Sequence, residues 1–279
     1  MKVKFYGTRG SIATPGRGTT GYGGNTTCLG ITSSDGDKLI VDAGTGIKEL
    51  GNELMGQEGR EVDLLFTHYH SDHTQGFPFF VPAYVPGWNL NIYGNGKGAE
   101  NALREQQNPE LGNFPLSIDN MGSTMNFNHI SNEGMVLENG LRVEAMFHNA
   151  HPQGMTSYKF IENDKVVVFT GDYEHDFGES DEKMLKWIEG ANLVVMDAQY
   201  TPEEYPSKKG WGHSQIEQAC ELASHAGVKR VYLTHHDPGH DDDQVKEMEL
   251  RARRHVELTL DNKLTTVFSA REGNEIEVF

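Results

Sequence analysis

The sequence predicts an α/β fold in which layered β-sheets are covered by helices. Two observations carry the prediction. Short apolar runs dominate the first half: "KVKFYG", "TCLGITS", "DKLIVDAG", "VDLLFTH" and "LNIYG". The second half alternates such runs ("LRVEAMFHN", "TSYKFI", "KVVVFTGD", "NLVVMDAQY", "RVYLTHHD", "TTVFSA") with stretches of helical pattern. The 32 glycines are spread through these runs, which suits one domain, 1–279, with many turns.

Taken in order, "KVKFYG" reads directly as a strand and lacks the apolar core of a signal peptide. "GRGTTGYGGNTT" lacks the spacing of a phosphate-binding P-loop, so it is a loop near the site with Asn25 as a polar substrate contact. "DAGTGIKELG" is a tight turn from a strand into a helix at 46–53. Further helices are expected at 99–107, 182–189, 214–226 and 242–258. The stretch from about 74 to 135 is an aromatic-rich insert. Its Phe77, Phe79, Phe80, Tyr84 and Trp88 suit base stacking or, more readily, core or a contact between two copies.

Charge and composition exclude several classes. Lys plus Arg is 24 against 41 Asp plus Glu, a formal net of −17. Gripping a long nucleic acid needs a basic face that displaces counterions. The locally basic "RARR" (Arg251, Arg253, Arg254) sits among Glu247, Glu249 and Glu257. No apolar run approaches the roughly 20 residues of a membrane span. Cys28 and Cys220 form no CxxC pair, so a disulfide framework is not expected and a cytoplasmic location is.

The polar residues fall in a pattern. Five apolar strands end at Asp42, His68, Asp172, Asp197 and His235. Ligand sites of α/β proteins gather at strand C-terminal ends, so these side chains are expected to converge. Asp42 and Asp197 also suit capping of the next helix. "FTHYHSDHTQG" adds His70, Asp72 and His73 within six positions of His68. His68 and His70 share one face of an extended chain and suit one cation, while Asp72 and His73 suit a second. The first ion takes a further ligand from His151, preferred to His148 because it follows the break in its strand. The second takes His235, which ends its strand directly, ahead of His236 and His240. Asp172 bridges the two.

"HYHSDH", His151, "TGDYEH" and "LTHHDP" together resemble the metallo-β-lactamase superfamily in order and spacing. The opening "GTRGSIATPG" through "LIVDAGTGIKELG" resembles its phosphodiesterase branch: PhnP-type cyclic phosphate hydrolases, ribonuclease Z and phage anti-Pycsar cyclic nucleotide phosphodiesterases. The resemblance covers nearly the whole chain. It implies an αβ/βα four-layer sandwich with a binuclear site at one edge of two facing sheets, and homodimers are common in the branch. His at 70, where flavodiiron relatives carry Glu, implies hydrolytic rather than redox metals; Asp at 172 departs from true β-lactamases.

The implied activity is a binuclear phosphodiesterase acting on small cyclic nucleotides or cyclic phosphates, with two divalent ions activating water for attack on phosphorus. Asp72 and Asp172 belong to its catalytic centre. His213, in "GWGHSQIEQA", resembles the branch's "GHS" element, and its expected role is leaving-group protonation or phosphate-oxygen binding. Its bland alternative is a neighbour of a helix cap at Ser214. Nitrogen-rich ligation favours Zn2+, with Mn2+ or Fe2+ as substitutes. Between 74 and 135 the basic residues are Lys97 and Arg104 against five acidic ones, so a tRNA-binding arm is not expected. Rival readings are an ester, lactone or thioester hydrolase on the same metals, a metal-holding sensor, and a tRNA 3′-processing nuclease.

Overall fold

A computed structural model describes residues 1–131, 134–136 and 140–279. Strands in the first half are β1 (Lys2–Gly7), β2 (Cys28–Thr32), β3 (Lys38–Val41), β4 (Glu61–Leu65), β5 (Asn89–Gly94) and β6 (Thr124–His129). After them come β7 (Met135–Val136), β8 (Arg142–His148), β9 (Met155–Glu162) and β10 (Lys165–Phe169). The last are β11 (Leu193–Asp197), β12 (Arg230–Thr234), β13 (Thr266–Ser269) and β14 (Glu275–Glu277). Helices are α1 (Ile47–Met55), α2 (Ser71–Thr74), α3 (Gly98–Gln106), α4 (Glu179–Ile188), α5 (Ile216–His225) and α6 (Asp242–Arg254).

Two sheets form, in the orders β14-β1-β2-β3-β4-β5-β6 and β13-β12-β11-β10-β9-β8-β7. Each joins an antiparallel half to a parallel one: β3 to β6 are parallel in the first, β10 to β13 in the second. Parallel strands are covered on both faces, which is why "LIV", "DLL" and "LVVM" read as nearly unbroken apolar runs. Leu39, Val41 and Leu65 face Val167, Phe169, Leu193 and Val195 in a core between the sheets. The alternate residues Ile40, Val62 and Leu64 point outward to Ile47, Leu50 and Leu54 of α1. On the far side Val194, Met196 and Val231 meet Ala219 and Ala223 of α5 and Met248 of α6. Helix, sheet, sheet and helix stack as four layers, the expected α/β class.

The departures have local causes. Strands β6, β7 and β14 were not expected from the sequence: β6 ("TMNFNH") is a polar, half-exposed edge strand, and β7 and β14 hold two and three residues. Helix α4 starts earlier than 182 because Glu179, Asp181 and Glu182 fill its first turn, where the helix dipole favours acids. Helix α5 is capped by Gln215, whose side chain accepts from the Glu217 amide, and not by Ser214, whose hydroxyl donates to the Tyr173 carbonyl. The aromatic segment supplies β5 and β6 to the first sheet and α3 to the layer outside it. Phe77, Phe80 and Trp88 are buried in its outer layer, so they stack no base. Tyr84 is half-buried, its hydroxyl on the Pro78 carbonyl, while Phe79 is 58% exposed and packs its ring on Phe114. No described helix is long and apolar enough to cross a membrane.

The turn from β3 into α1 is as tight as "DAGTG" suggests. A Cβ on Gly44 would stand 2.5 Å from the carbonyl oxygens of both Thr27 and Asp72. Backbone on two sides cannot yield cheaply, so Gly44→Ala is expected to cost about 2–4 kcal/mol of stability. Gly56→Ala, whose Cβ would meet nothing closer than 3.6 Å, should stay within about 1 kcal/mol of wild type. Urea midpoints of the two variants check this pair.

Candidate metal centre

The parallel halves deliver their C-terminal ends to one place. His68 follows β4, and the single turn of α2 swings Asp72 and His73 back beside it. His151 lies on the turn between β8 and β9, Asp172 just after β10, and His235 directly after β12. Two donor groups result, each with ligand atoms within 4.8 Å of one another: His68, His70 and His151; and Asp72, His73, Asp172 and His235. In the first, His70 Nδ1 lies 3.0 Å from His68 Nε2 and 3.1 Å from His151 Nε2. In the second, His235 Nε2 is 3.2 Å from Asp72 Oδ2 and 3.3 Å from Asp172 Oδ1. Asp172 Oδ2 lies 3.2 Å from His73 Nε2, 3.6 Å from His68 Nε2 and 4.0 Å from His151 Nε2. One carboxylate therefore faces both groups.

An outer ring of contacts fixes which nitrogen points inward. Thr67 donates its hydroxyl to Asp42 Oδ2 at 2.8 Å, so its oxygen accepts from His68 Nδ1 at 3.1 Å. His73 Nδ1 donates to Asp42 Oδ2 at 2.8 Å, and His151 Nδ1 to the Gly212 carbonyl at 2.8 Å. His235 Nδ1 donates to Gln199 Oε1 at 3.2 Å. With each Nδ1 proton held outward, each Nε2 lone pair is aimed into the centre, as outer-shell partners do for metal-ligating imidazoles. The backbone is shaped to the same end: Asp42 and His235 adopt left-handed φ values of 62° and 61°, and so does Ser11 at 63°. The Ser11 amide donates to Asp72 Oδ2 at 2.7 Å. Buried Arg9 braces this corner by donating to the carbonyls of Gly23, Asp237 and His240.

The donors fit cations. Two nitrogens bound to one tetrahedral ion at about 2.1 Å stand roughly 3.4 Å apart, close to the spacing of the first group. His73 Nε2 is buried with no directed hydrogen bond although Asp172 and Asp72 oxygens lie 3.2 and 3.4 Å away, which suits a shared ion better than a proton. Electrostatics separates the groups. Burial pushes His68 and His151 below the usual imidazole range, keeping their lone pairs free. Burial also opposes charge on His73 and His235, but Asp172 and Asp72 outweigh it, raising His73 strongly and His235 to about 9. Burial likewise opposes ionised Asp72 and Asp172, and the facing imidazoles overcome it and hold both well below the carboxylate range. These two buried carboxylates demand positive charge.

His213 stands at the edge of the centre, its ring stacked on His235 at 4.6 Å and 5.1 Å from His151. Its Nδ1 donates to Asp197 Oδ2 at 2.7 Å, and Asp197 also accepts the backbone amides of Tyr173 and Gln199. Asp172, Asp197, His213 and His235 form a third grouping that shares two members with the second. The rivals lie elsewhere: His148 meets Ser157, His236 meets the Ala270 carbonyl, and His240 meets Glu204. Asn25 is not brought to the cluster, because Glu272 and Thr45 engage its amide. Asp42 and Asp197 are not helix caps; each orients a histidine. Sequence reasoning missed these two roles and those of Thr67, Gln199 and the Gly212 carbonyl. The available signal for Asp42 was parallel pairing of β3 with β4, which sets Val41 beside Leu65 and hence Asp42 near the start of the histidine run.

Asp42→Asn is expected to leave the fold intact and weaken divalent metal binding about 10–100-fold, since it loosens His68 and His73 together. Competition against a chromophoric chelator reads this directly; unaltered affinity would detach Asp42 from the centre.

Residues 38–236 match the family described as Beta-lactamase superfamily domain. Ribonuclease Z of Haloarcula marismortui is 24% identical, covering 84% of this chain and 86% of its own. Among solved structures, unliganded yeast PDE1 superposes with a TM-score of 0.73 at 14% identity, covering 98% of each chain. The metallo-beta-lactamase fold protein YhfI from Bacillus subtilis gives 0.72 at 18% identity over 99% of each. With sandwich, ligand order and family match in agreement, the chain belongs to the beta-lactamase superfamily, as a hydrolase of the metallo-β-lactamase fold.

Proposed function

We propose that this protein is a phosphodiesterase acting on small cyclic nucleotides or cyclic phosphates with two divalent cations, Zn2+ foremost. His68, His70 and His151 would hold one ion, Asp72, His73 and His235 the other, and Asp172 both. The observation that carries the reading is a carboxylate shared between two donor groups with an oriented imidazole at their edge. Bound there, the ions supply Lewis acidity that acidifies water and offsets charge on a phosphoryl group. The chain's own residues do the rest. Asp197 accepts the Nδ1 proton of His213, so the doubly protonated ring presents Nε2–H to the departing sugar oxygen and is left as the Nδ1–H tautomer once that proton is given up. Asp197 is itself fixed by two backbone amides, so the imidazole is held in one tautomer.

A second reading, tRNA 3′ processing, is favoured by the curated relatives named ribonuclease Z. Charge weighs against it. The protein carries a formal −17, and Arg104, one of two basic residues in 74–135, is paired with Glu100 and Asp119. Cytoplasmic location, read from the two unpaired cysteines, and pairing of two copies, implied by the resemblance, belong to the proposal.

Purified, zinc- or manganese-loaded protein should hydrolyse a 3′,5′- or 2′,3′-cyclic nucleotide and leave a tRNA precursor uncut; the reverse pattern selects the second reading. His213→Ala should lower kcat about 10²–10⁴-fold on a ribose leaving group and far less on bis(p-nitrophenyl) phosphate, whose nitrophenolate departs without a proton.

A further inference from the structure

The loop between β11 and α5 carries chemistry that neither the ion sites nor His213 use. Trp211 is 57% exposed two residues before His213, whereas Trp88 is buried and Trp187 half-buried. Its neighbours Gly210 and Gly212 have φ of 87° and 90°, and a Cβ on Gly212 would strike His151 Nδ1, so the indole is presented beside the centre. Lys208 places its ammonium 4.3 Å from the Trp211 ring centroid and 6.0 Å from that of Tyr200. No carboxylate pairs with it among the described residues, although acids outnumber bases 41 to 24. The Tyr200 ring in turn stands 6.1 Å from the His213 ring.

The loop is held firmly. Glu174 accepts from the Tyr205 hydroxyl at 3.0 Å and from the amides of Gly210 and Gly212 at 2.7 Å each. Glu204 accepts from the Thr201 amide and hydroxyl and pairs with His240. A half-buried cation with aromatic faces for company, beside an exposed indole on a pinned loop, keeps a donor and a flat face ready for something not yet bound.

Given the phosphodiesterase reading, we propose that Trp211 and Lys208 form the subsite for the substrate's nucleobase. The base stacks on the indole in place of the ammonium, which moves to the edge of the ring and donates to a base carbonyl oxygen. The loop reaches the centre at His151, through the Gly212 carbonyl, and at His213, through Tyr200, so a sugar departing past His213 would bring its base to this lip. Stacking accepts any base. A lysine donor adds discrimination, because guanine, uracil and cytosine offer a carbonyl and adenine offers none.

Equilibrium binding to the zinc-loaded full chain tests this apart from turnover. Titration with GMP, UMP, CMP and AMP should quench the tryptophan emission, and Trp211→Phe should abolish the quench. Trp211→Ala should weaken all four nucleotides about tenfold or more, measured by calorimetry. Lys208→Met should weaken GMP, UMP and CMP about tenfold and AMP less than threefold, with Lys208→Arg recovering most of the loss. The subsite is refuted if no nucleotide quenches at millimolar concentration, if Trp211→Phe keeps the full quench, or if Lys208→Met affects all bases alike. Failure of the phosphodiesterase reading looks different: no cyclic nucleotide is turned over while this binding pattern persists.

Discussion

Two carboxylates, Asp72 and Asp172, lie almost wholly buried within a ring of imidazoles, and the rest of the molecule is arranged around that fact. A buried anion is costly unless positive charge stands beside it. Here the opposing groups come from both sheets, so the price of the carboxylates is met only when the sandwich is closed. The outer ring of Asp42, Thr67, Gln199 and the Gly212 carbonyl then turns one nitrogen of His68, His73, His151 and His235 away and the other inward. Left-handed backbone at Asp42 and His235 belongs to the same arrangement, since a strand running straight on would carry either side chain past the centre.

Much of this was legible in the residues. Apolar runs alternating with helical patterns announced layered sheets covered by helices, and the ionisable residue closing each run announced a shared site. The crowded "HYHSDH" could hardly serve a solvated loop. What stayed hidden depended on pairing. A carboxylate between a strand and a helix suits a cap as well as a site until the neighbouring strand is known, so the residues alone leave Asp42 and Asp197 open between the two, and the structure places both against histidines of the centre. Asn25 sits among glycines that suggest a ligand loop, yet Glu272 from the far end of the chain reaches it first. The aromatic segment was ambiguous because burial of Phe77, Phe80 and Trp88 follows from the outer helical layer, which no local pattern reports.

Charge would divide the labour of recognition under the proposed function. A formal net of −17 opposes polyanions at long range, while two ions in the buried site would draw a single phosphoryl group at short range. Under that proposal the protein would favour compact anions that can leave bulk solvent over extended ones. Lys208 stands near the rim of the site, over the rings of Trp211 and Tyr200.

The order of the ligands along the chain also sets an order in time. His68, His70, Asp72 and His73 emerge early from a ribosome, and His151 and Asp172 follow, but His235 arrives with most of the polypeptide already made. Its strand, β12, needs β11 on one side and β13 on the other. The early donors thus lie within six residues of sequence, and only the last fifth of synthesis supplies the residue that completes the second donor group.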